Sequence, residues 1–210
     1  DMVLCGIAAR LTAVKDITTT LRAFAIAVKK QPRLRLFVAG EGEDKANLEK
    51  MARELGISEQ VCFCGWVSPI NEFFAAMDVT LLSSISETFP YSILEGIGEG
   101  CVSICSDVGG MSELIDSGEN GFIFQPKDYV TLAKQLERIA SDDELRRTFA
   151  ERLLEKTKRE FSLQKMCQTQ VENYQMVLDK FRRFEKPRDG VVICGAYGKG
   201  NAGDDAILKA

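Results

Sequence analysis

The sequence predicts an α/β fold: a Rossmann-like parallel sheet with helices on both faces. Three observations predict it. Six short apolar runs read as strands, amphipathic stretches of helical period separate them, and turn-rich loops follow the first five runs. Strands that alternate with helices imply a parallel sheet covered on both sides.

The elements follow in order. Val3–Ala8 is the first strand-like run, and residues 17–30 follow as a helix with Leu21, Phe24, Ala25 and Val28 on one face. Leu34–Ala39 is the second run, with helix 43–55 after it. Residues 61–64 form the third run, followed by helix 70–77. Val79–Leu82 is the fourth, with helix 91–99. Residues 101–105 and 121–124 are the fifth and sixth, followed by helical stretches at 111–116 and 128–140. The loops at 10–15, 40–43, 65–69, 83–90 and 106–110 all come after strands, so they line one edge, where ligands of such sheets sit.

No strand is predicted from 142 to 184. There Leu163, Met166, Cys167, Val171, Tyr174, Val177, Leu178 and Phe181 recur at helical spacing, a stripe expected to contact the core. Arg182-Arg183 and Lys186-Pro187-Arg188 form a solvated basic stretch, and Pro187 with Asp189-Gly190 marks a boundary. Residues 1–184 are therefore one domain, 185–190 a linker, and 191–210 the opening of a second α/β unit. The abrupt first strand and the abrupt end are expected of a piece of a longer protein.

Composition narrows the functional classes. Apolar residues make up 45% and charged residues 28%, ordinary for a soluble globular protein. A net charge of -4 gives no case for nucleic acid or an anionic membrane. No apolar run approaches the roughly 18 residues that span a bilayer, and no signal peptide is visible. The seven cysteines (5, 62, 64, 101, 105, 167 and 194) are odd in number and irregular in spacing, and most lie in apolar runs, where cysteine acts as a small hydrophobe. The chain has no histidine, which weakens any zinc reading. A reducing, cytoplasmic compartment follows.

Five constellations carry chemistry. The first is Glu87 and Glu95, seven intervening residues apart across a loop that opens a helix. Proline suits a first helical position, so the helix is predicted to start at Pro90, and the amides of Phe89, Tyr91 and Ser92 are free to face an anion. Carboxylates accept sugar hydroxyls and helix amides hold phosphate, so the pair fits a nucleotide sugar; two surface glutamates are the plain alternative. The second is Arg10 and Lys15 after the first strand, a donor fork and a mobile point charge that can converge on one diphosphate. The third is Gly40-Glu41-Gly42, a tight turn with or without a ligand against its backbone. A dinucleotide fingerprint would need glycine at 45, which is Lys45, so a dehydrogenase is disfavoured. The fourth is Gly65-Trp66-Val67-Ser68-Pro69, whose backbone can read a base edge, or which is an ordinary loop with Trp66 partly buried. The fifth is Gly198-Lys199-Gly200-Asn201-Ala202-Gly203, a weak G-x-G-x-x-G match; Asn201 excludes a P-loop.

Together these residues resemble the C-terminal, donor-binding half of retaining glycosyltransferases of family 4, with a GT-B-type fold. The similarity runs from about residue 2 to 181. It is carried by 9–16, 38–42, 63–66, Ser86 through Glu95, 106–114 and 119–122. The resemblance implies transfer of a hexosyl group from a UDP- or GDP-sugar in cell-surface polysaccharide synthesis, without a metal or other cofactor. It implies that Arg10 and Lys15 hold the diphosphate, that Glu87 contacts the transferred sugar as the catalytic residue, and that Glu95 holds the ribose. Phe89, Pro90 and Tyr91 supply loop contacts, Val67 lies near the base, and Gly40 belongs to the donor site. Thr88 and Pro90 stand where the family often has glycine, and Gly98 and Gly100 where alanine is common. The partners implied are the donor, an N-terminal acceptor domain, and a glycan or lipid-linked acceptor, with no nucleic acid. That N-terminal domain implies peripheral association with the inner face of the membrane. The tail resembles the start of polysaccharide pyruvyl transferases through Gly195, Tyr197, Gly198, Asn201, Gly203, Asp204 and Asp205, which implies a fusion of two activities. A nucleotide-sugar binding module without catalysis and an α/β scaffold domain are the competing readings.

Overall fold

The computed structural model describes residues 2–182. Strands and helices alternate as the sequence predicts: β1 (Val3–Ala8), α1 (Ile17–Lys30), β2 (Leu34–Ala39), α2 (Lys45–Glu54), β3 (Val61–Gly65), α3 (Ile70–Ala75), β4 (Val79–Leu82), α4 (Tyr91–Gly98), β5 (Val102–Ser106), α5 (Met111–Leu114), β6 (Phe122–Phe124) and α6 (Tyr129–Ser141). Two long helices follow, α7 (Asp143–Glu160) and α8 (Leu163–Arg182). One compact unit runs to Lys165, and a second begins at Met166. The linker 185–190 and the tail 191–210 lie outside the described residues.

All strand pairs are parallel, in the order β3-β2-β1-β4-β5-β6. Their carboxyl ends therefore share one edge. The order reverses between β1 and β4, so the loops after these strands diverge and open a crevice between them.

Alternation along each strand divides the core. Val3, Cys5 and Ile7 of β1, Leu34, Leu36 and Val38 of β2, and Val79 and Leu81 of β4 join one cluster with Leu21 and Phe24 of α1 and Leu132 and Leu136 of α6. On the opposite face, Leu82 and Cys105 pack with Ile93 and Ile97 of α4 and Leu153 of α7, while Phe73 and Phe74 of α3 pack with Ala39 and Cys101. Burial pushes the Cys101 thiol up to about 12 and raises those of Cys5 and Cys105 as well, so these three act as small hydrophobes, as predicted.

Three expectations are corrected. Pro90 is not the first helical residue: its ψ of 120 is extended, and it sits at the N-cap with the helix beginning at Tyr91. The stripe on α8 is exposed at Leu163, Met166, Val171, Tyr174, Val177 and Leu178. Helical periodicity marks a face that can be covered, and does not say by what. Cys62, read as a small hydrophobe in an apolar run, is exposed because β3 is an edge strand.

Helix α6 carries a cap with a measurable contribution. Asp128 accepts from Thr131 N at 3.0 Å and from Thr131 Oγ1 at 2.6 Å. These bonds, the hydroxyl's first, hold its carboxyl below the usual range. Asp128→Ala is expected to cost about 1 kcal/mol at neutral pH. A depressed carboxylate contributes above its unfolded value, near 3.9, and loses that contribution as pH falls through the folded one. Urea midpoints of wild type and variant should therefore converge in acid.

Candidate donor site at the carboxyl edge of the sheet

Two loops flanking the crevice are stitched together. After β1 the chain makes a 3₁₀ turn at Ala13–Lys15 and enters α1 through Asp16, at φ 43. Lys15 Nζ then reaches Glu87 Oε1 at 2.5 Å, across 72 residues of sequence. Ser84 Oγ donates to the same oxygen at 2.7 Å. Both donors load Oε1, and Oε2 has no partner among the described residues. The backbone holds this arrangement: Ser83 Oγ donates to Lys15 O at 3.0 Å, Ile85 N to Val14 O at 2.9 Å, and Ser106 Oγ to Ser84 O at 2.7 Å.

Beside this pair lies a cleft of about 600 Å³ lined by Arg10, Gly40, Glu41, Trp66, Val67, Ser92 and Glu95, among others. Arg10 is exposed, and its guanidinium makes no ion pair or hydrogen bond among the described residues. It is an uncommitted cation at the mouth of a partly apolar cleft. Glu95, in the second turn of α4, is exposed with Ser92 one turn before it on the same face. Trp66 is 81% exposed, so the reading of a partly buried ring is corrected: β3 ends at the sheet edge and no element covers the loop.

Gly40 holds the cleft's floor in place. Its φ is +135, and a Cβ there would lie 1.9 Å from Ala9 O. Its N–H donates to Gly65 O at 2.7 Å, while Leu11 N donates to Glu41 O at 2.9 Å. The close approach at this turn is to the backbone of the loop that carries Arg10.

The loop from Glu87 to Pro90 rests on the loop after β5. Gly110 N donates to Thr88 O at 2.9 Å, and Gly109, at φ +55, would place a Cβ 2.3 Å from that same carbonyl. Phe89 turns inward and stacks on Phe161 of the α7–α8 connection at 5.5 Å, so only its backbone faces outward chemistry. Pro90 is buried and Tyr91 is 78% exposed. The amides of Tyr91 and Ser92, in the first turn of α4, find no acceptor among the described residues, as expected of a helix start.

Of the residues foreseen, Arg10, Gly40, Val67 and Glu95 share one cleft, and Lys15 and Glu87 form one contact. Phe89 and Pro90, on the connecting loop, and Tyr91, the first residue of α4, do not line that cleft. Ser83, Ser84 and Ser106 were not foreseen. Their only sequence signal is hydroxyl residues at the ends of β4 and β5. Cations and amides that hold an anion, next to carboxylates that accept hydroxyls, suit a ligand carrying both phosphate and sugar.

The chain is similar to the lipopolysaccharide core biosynthesis glycosyltransferase LpsE of Rhizobium meliloti, 36% identical over 126 residues, covering 60% of this chain and 37% of that protein. It is similar to N-acetyl-alpha-D-glucosaminyl L-malate synthase of Bacillus anthracis, 29% identical over 153 residues, 73% of this chain and 40% of that one. It thus spans little more than a third of the length of these relatives. The C-terminal domain of the glycosyl transferase group 1 family protein LpcC from Francisella tularensis superposes with a TM-score of 0.72 at 26% identity, covering 77% of this chain and 87% of that domain. Anabaena HepE, solved in complex with UDP, superposes with a TM-score of 0.76 at 23% identity, 83% of this chain and 49% of that one. The family model for glycosyl transferases group 1 matches residues 4–156, from β1 into α7, and the chain belongs to that family.

Proposed function

We propose that this chain is the donor-binding half of a retaining, family 4-like glycosyltransferase that moves a hexosyl group from a nucleoside-diphosphate sugar during cell-surface polysaccharide synthesis. The observation that carries the reading is the uncommitted Arg10 and the Lys15–Glu87 contact on loops beside a cleft that also holds Glu95. In this reading Arg10, Lys15 and the first amides of α4 neutralise the diphosphate as the glycosidic bond breaks, so no metal is needed. Glu87 faces the sugar through Oε2, and Glu95 accepts from the ribose hydroxyls. Val67 and the backbone around it meet the base.

The acceptor wall belongs to an N-terminal domain outside these residues, peripheral to the cytoplasmic face of the membrane. No helix among the described residues is long and apolar enough to cross one. The tail from 191 is proposed as the start of a pyruvyl transferase domain.

HepE was solved with UDP and with UDP-glucose, which makes UDP the first probe. Titration calorimetry with UDP, GDP and ADP should show binding of one nucleotide. Glu95→Ala should weaken it about tenfold, the lower end for hydrogen bonds to a charged group at an exposed site. Residues 1–210 alone should transfer little or no sugar. No binding of any of the three nucleotides would return the chain to a scaffold role, and robust transfer by this chain alone would remove the need for a second wall.

A further inference from the structure

The edge strand β3 carries two thiols that the donor site does not use. Cys62 is exposed and Cys64 half-buried, and their sulfurs lie 3.9 Å apart. The strand is irregular here. Val38 pairs with Phe63 and Ala39 with Gly65, so Cys64 is the extra residue of a bulge. Bulges re-aim side chains and commonly lie next to functional loops. The next residues, Gly65 to Val67, lead into the wall of the cleft.

We propose that Cys62 and Cys64 form a two-thiolate clamp for one thiophilic atom, a soft cation or a trivalent arsenical, at the edge of the sheet beside the nucleotide cleft.

Distance decides between the two fates of such a pair. A disulfide needs its sulfurs about 2.05 Å apart, and alternate residues of a strand, about 6.6 Å apart, sit near the limit of the Cα spacing a disulfide accepts. A bridging atom instead needs two sulfurs separated by two bonds of about 2.3 Å, which span about 3.8–4.0 Å at tetrahedral to trigonal angles and about 3.5 Å at the pyramidal angle of trivalent arsenic, a difference that side-chain rotation supplies. The observed separation fits the bridge without moving the backbone. Burial, then the neighbouring Cys62, pushes the Cys64 thiol up to about 11, so that thiol is protonated at neutral pH and slow toward ordinary electrophiles. A thiophilic atom displaces those protons as it binds. The pair stands alone as ligands: among the described residues no third histidine, cysteine or carboxylate completes a metal cluster. The remaining valences of the bound atom must come from its own substituents or from solvent. That favours an atom arriving with a group attached.

Phenylarsine oxide is the probe. Two arsenic–sulfur bonds form, the arsenic–oxygen bond breaks, and the oxygen leaves as water with both thiol protons; no oxidant is involved. Intact-mass analysis of the whole chain should show one phenylarsenic group bound at an equimolar dose, retained in excess monothiol and stripped by a dithiol. Trp66 is the only tryptophan of the chain and lies two residues from Cys64, so its emission should change at the same dose. Cys62→Ser, at an exposed position that folding tolerates, and Cys64→Ser should each lose both signals, while Cys167→Ser keeps them. Capture that persists in Cys62→Ser, or that monothiol removes, would overturn the clamp. Nucleotide binding plays no part in either readout, so the outcome stands apart from the proposed function.

Discussion

Alanine at Gly40 is expected to lower the melting temperature by roughly 10 °C. Two costs add. A side chain at φ +135 is strained by about 1–3 kcal/mol. A Cβ 1.9 Å from Ala9 O adds an overpacking cost of about 1–3 kcal/mol, because the obstacle is backbone and cannot swing aside. In a chain of this size each kcal/mol moves the midpoint by about 2–4 °C. The loop carrying Arg10 should shift, so nucleotide affinity falls with stability. Gly98 supplies the control: it ends α4, a Cβ added there would meet nothing within 4 Å, and alanine should stabilise by about 0.5–1 kcal/mol. Differential scanning calorimetry on the two variants checks both signs. Equal melting temperatures would mean that the Gly40 turn relaxes freely.

Lys15→Ala and Glu87→Gln should move UDP affinity in opposite directions. Removing the ammonium takes a charge-assisted contact from the diphosphate, about 2 kcal/mol or roughly 30-fold. Glu87→Gln keeps the shape and lets Ser84 still donate to an oxygen, but it frees Lys15 from its ion pair and removes a negative charge beside a polyanion. At an effective dielectric near 20, with solvent screening, that is about 1 kcal/mol, or roughly fivefold tighter binding. In the proposed full-length transferase the same change should abolish sugar transfer. Calorimetry with UDP reads the first effect without any acceptor. If Glu87→Gln binds UDP no better than wild type, Lys15 does not serve the diphosphate.

The sheet was legible because strand and helix periods differ so plainly. Leu34–Ala39 and the Leu21, Phe24, Ala25 and Val28 face admit one reading each, and the loops after strands had to meet at one edge. Arg10, Gly40, Val67 and Glu95 were legible for the same reason, as residues on those loops or, for Glu95, on the helix that follows one. The serines were not, because a hydroxyl at a strand end has no periodicity to betray it. Its role exists only once β4 and β5 lie side by side. The α8 stripe shows the converse limit: its spacing is unmistakable, yet the same pattern serves a face against the core and one left exposed. Phe89 shows how little a contact prediction says about direction, since its ring packs on Phe161 rather than toward the cleft.

The ties among the Lys15, Ser84 and Thr88 segments have a thermodynamic meaning. Ser83, Ile85, Ser106 and Gly110 fasten loops from three different strands before any ligand arrives. Their ordering entropy is therefore charged to folding rather than to association, which is how a preset wall gains affinity without adding a contact. Cutting one tie, as in Ser106→Ala, leaves every group that meets the nucleotide in the chain. Its loss should surface in the entropy of binding, with the enthalpy little changed.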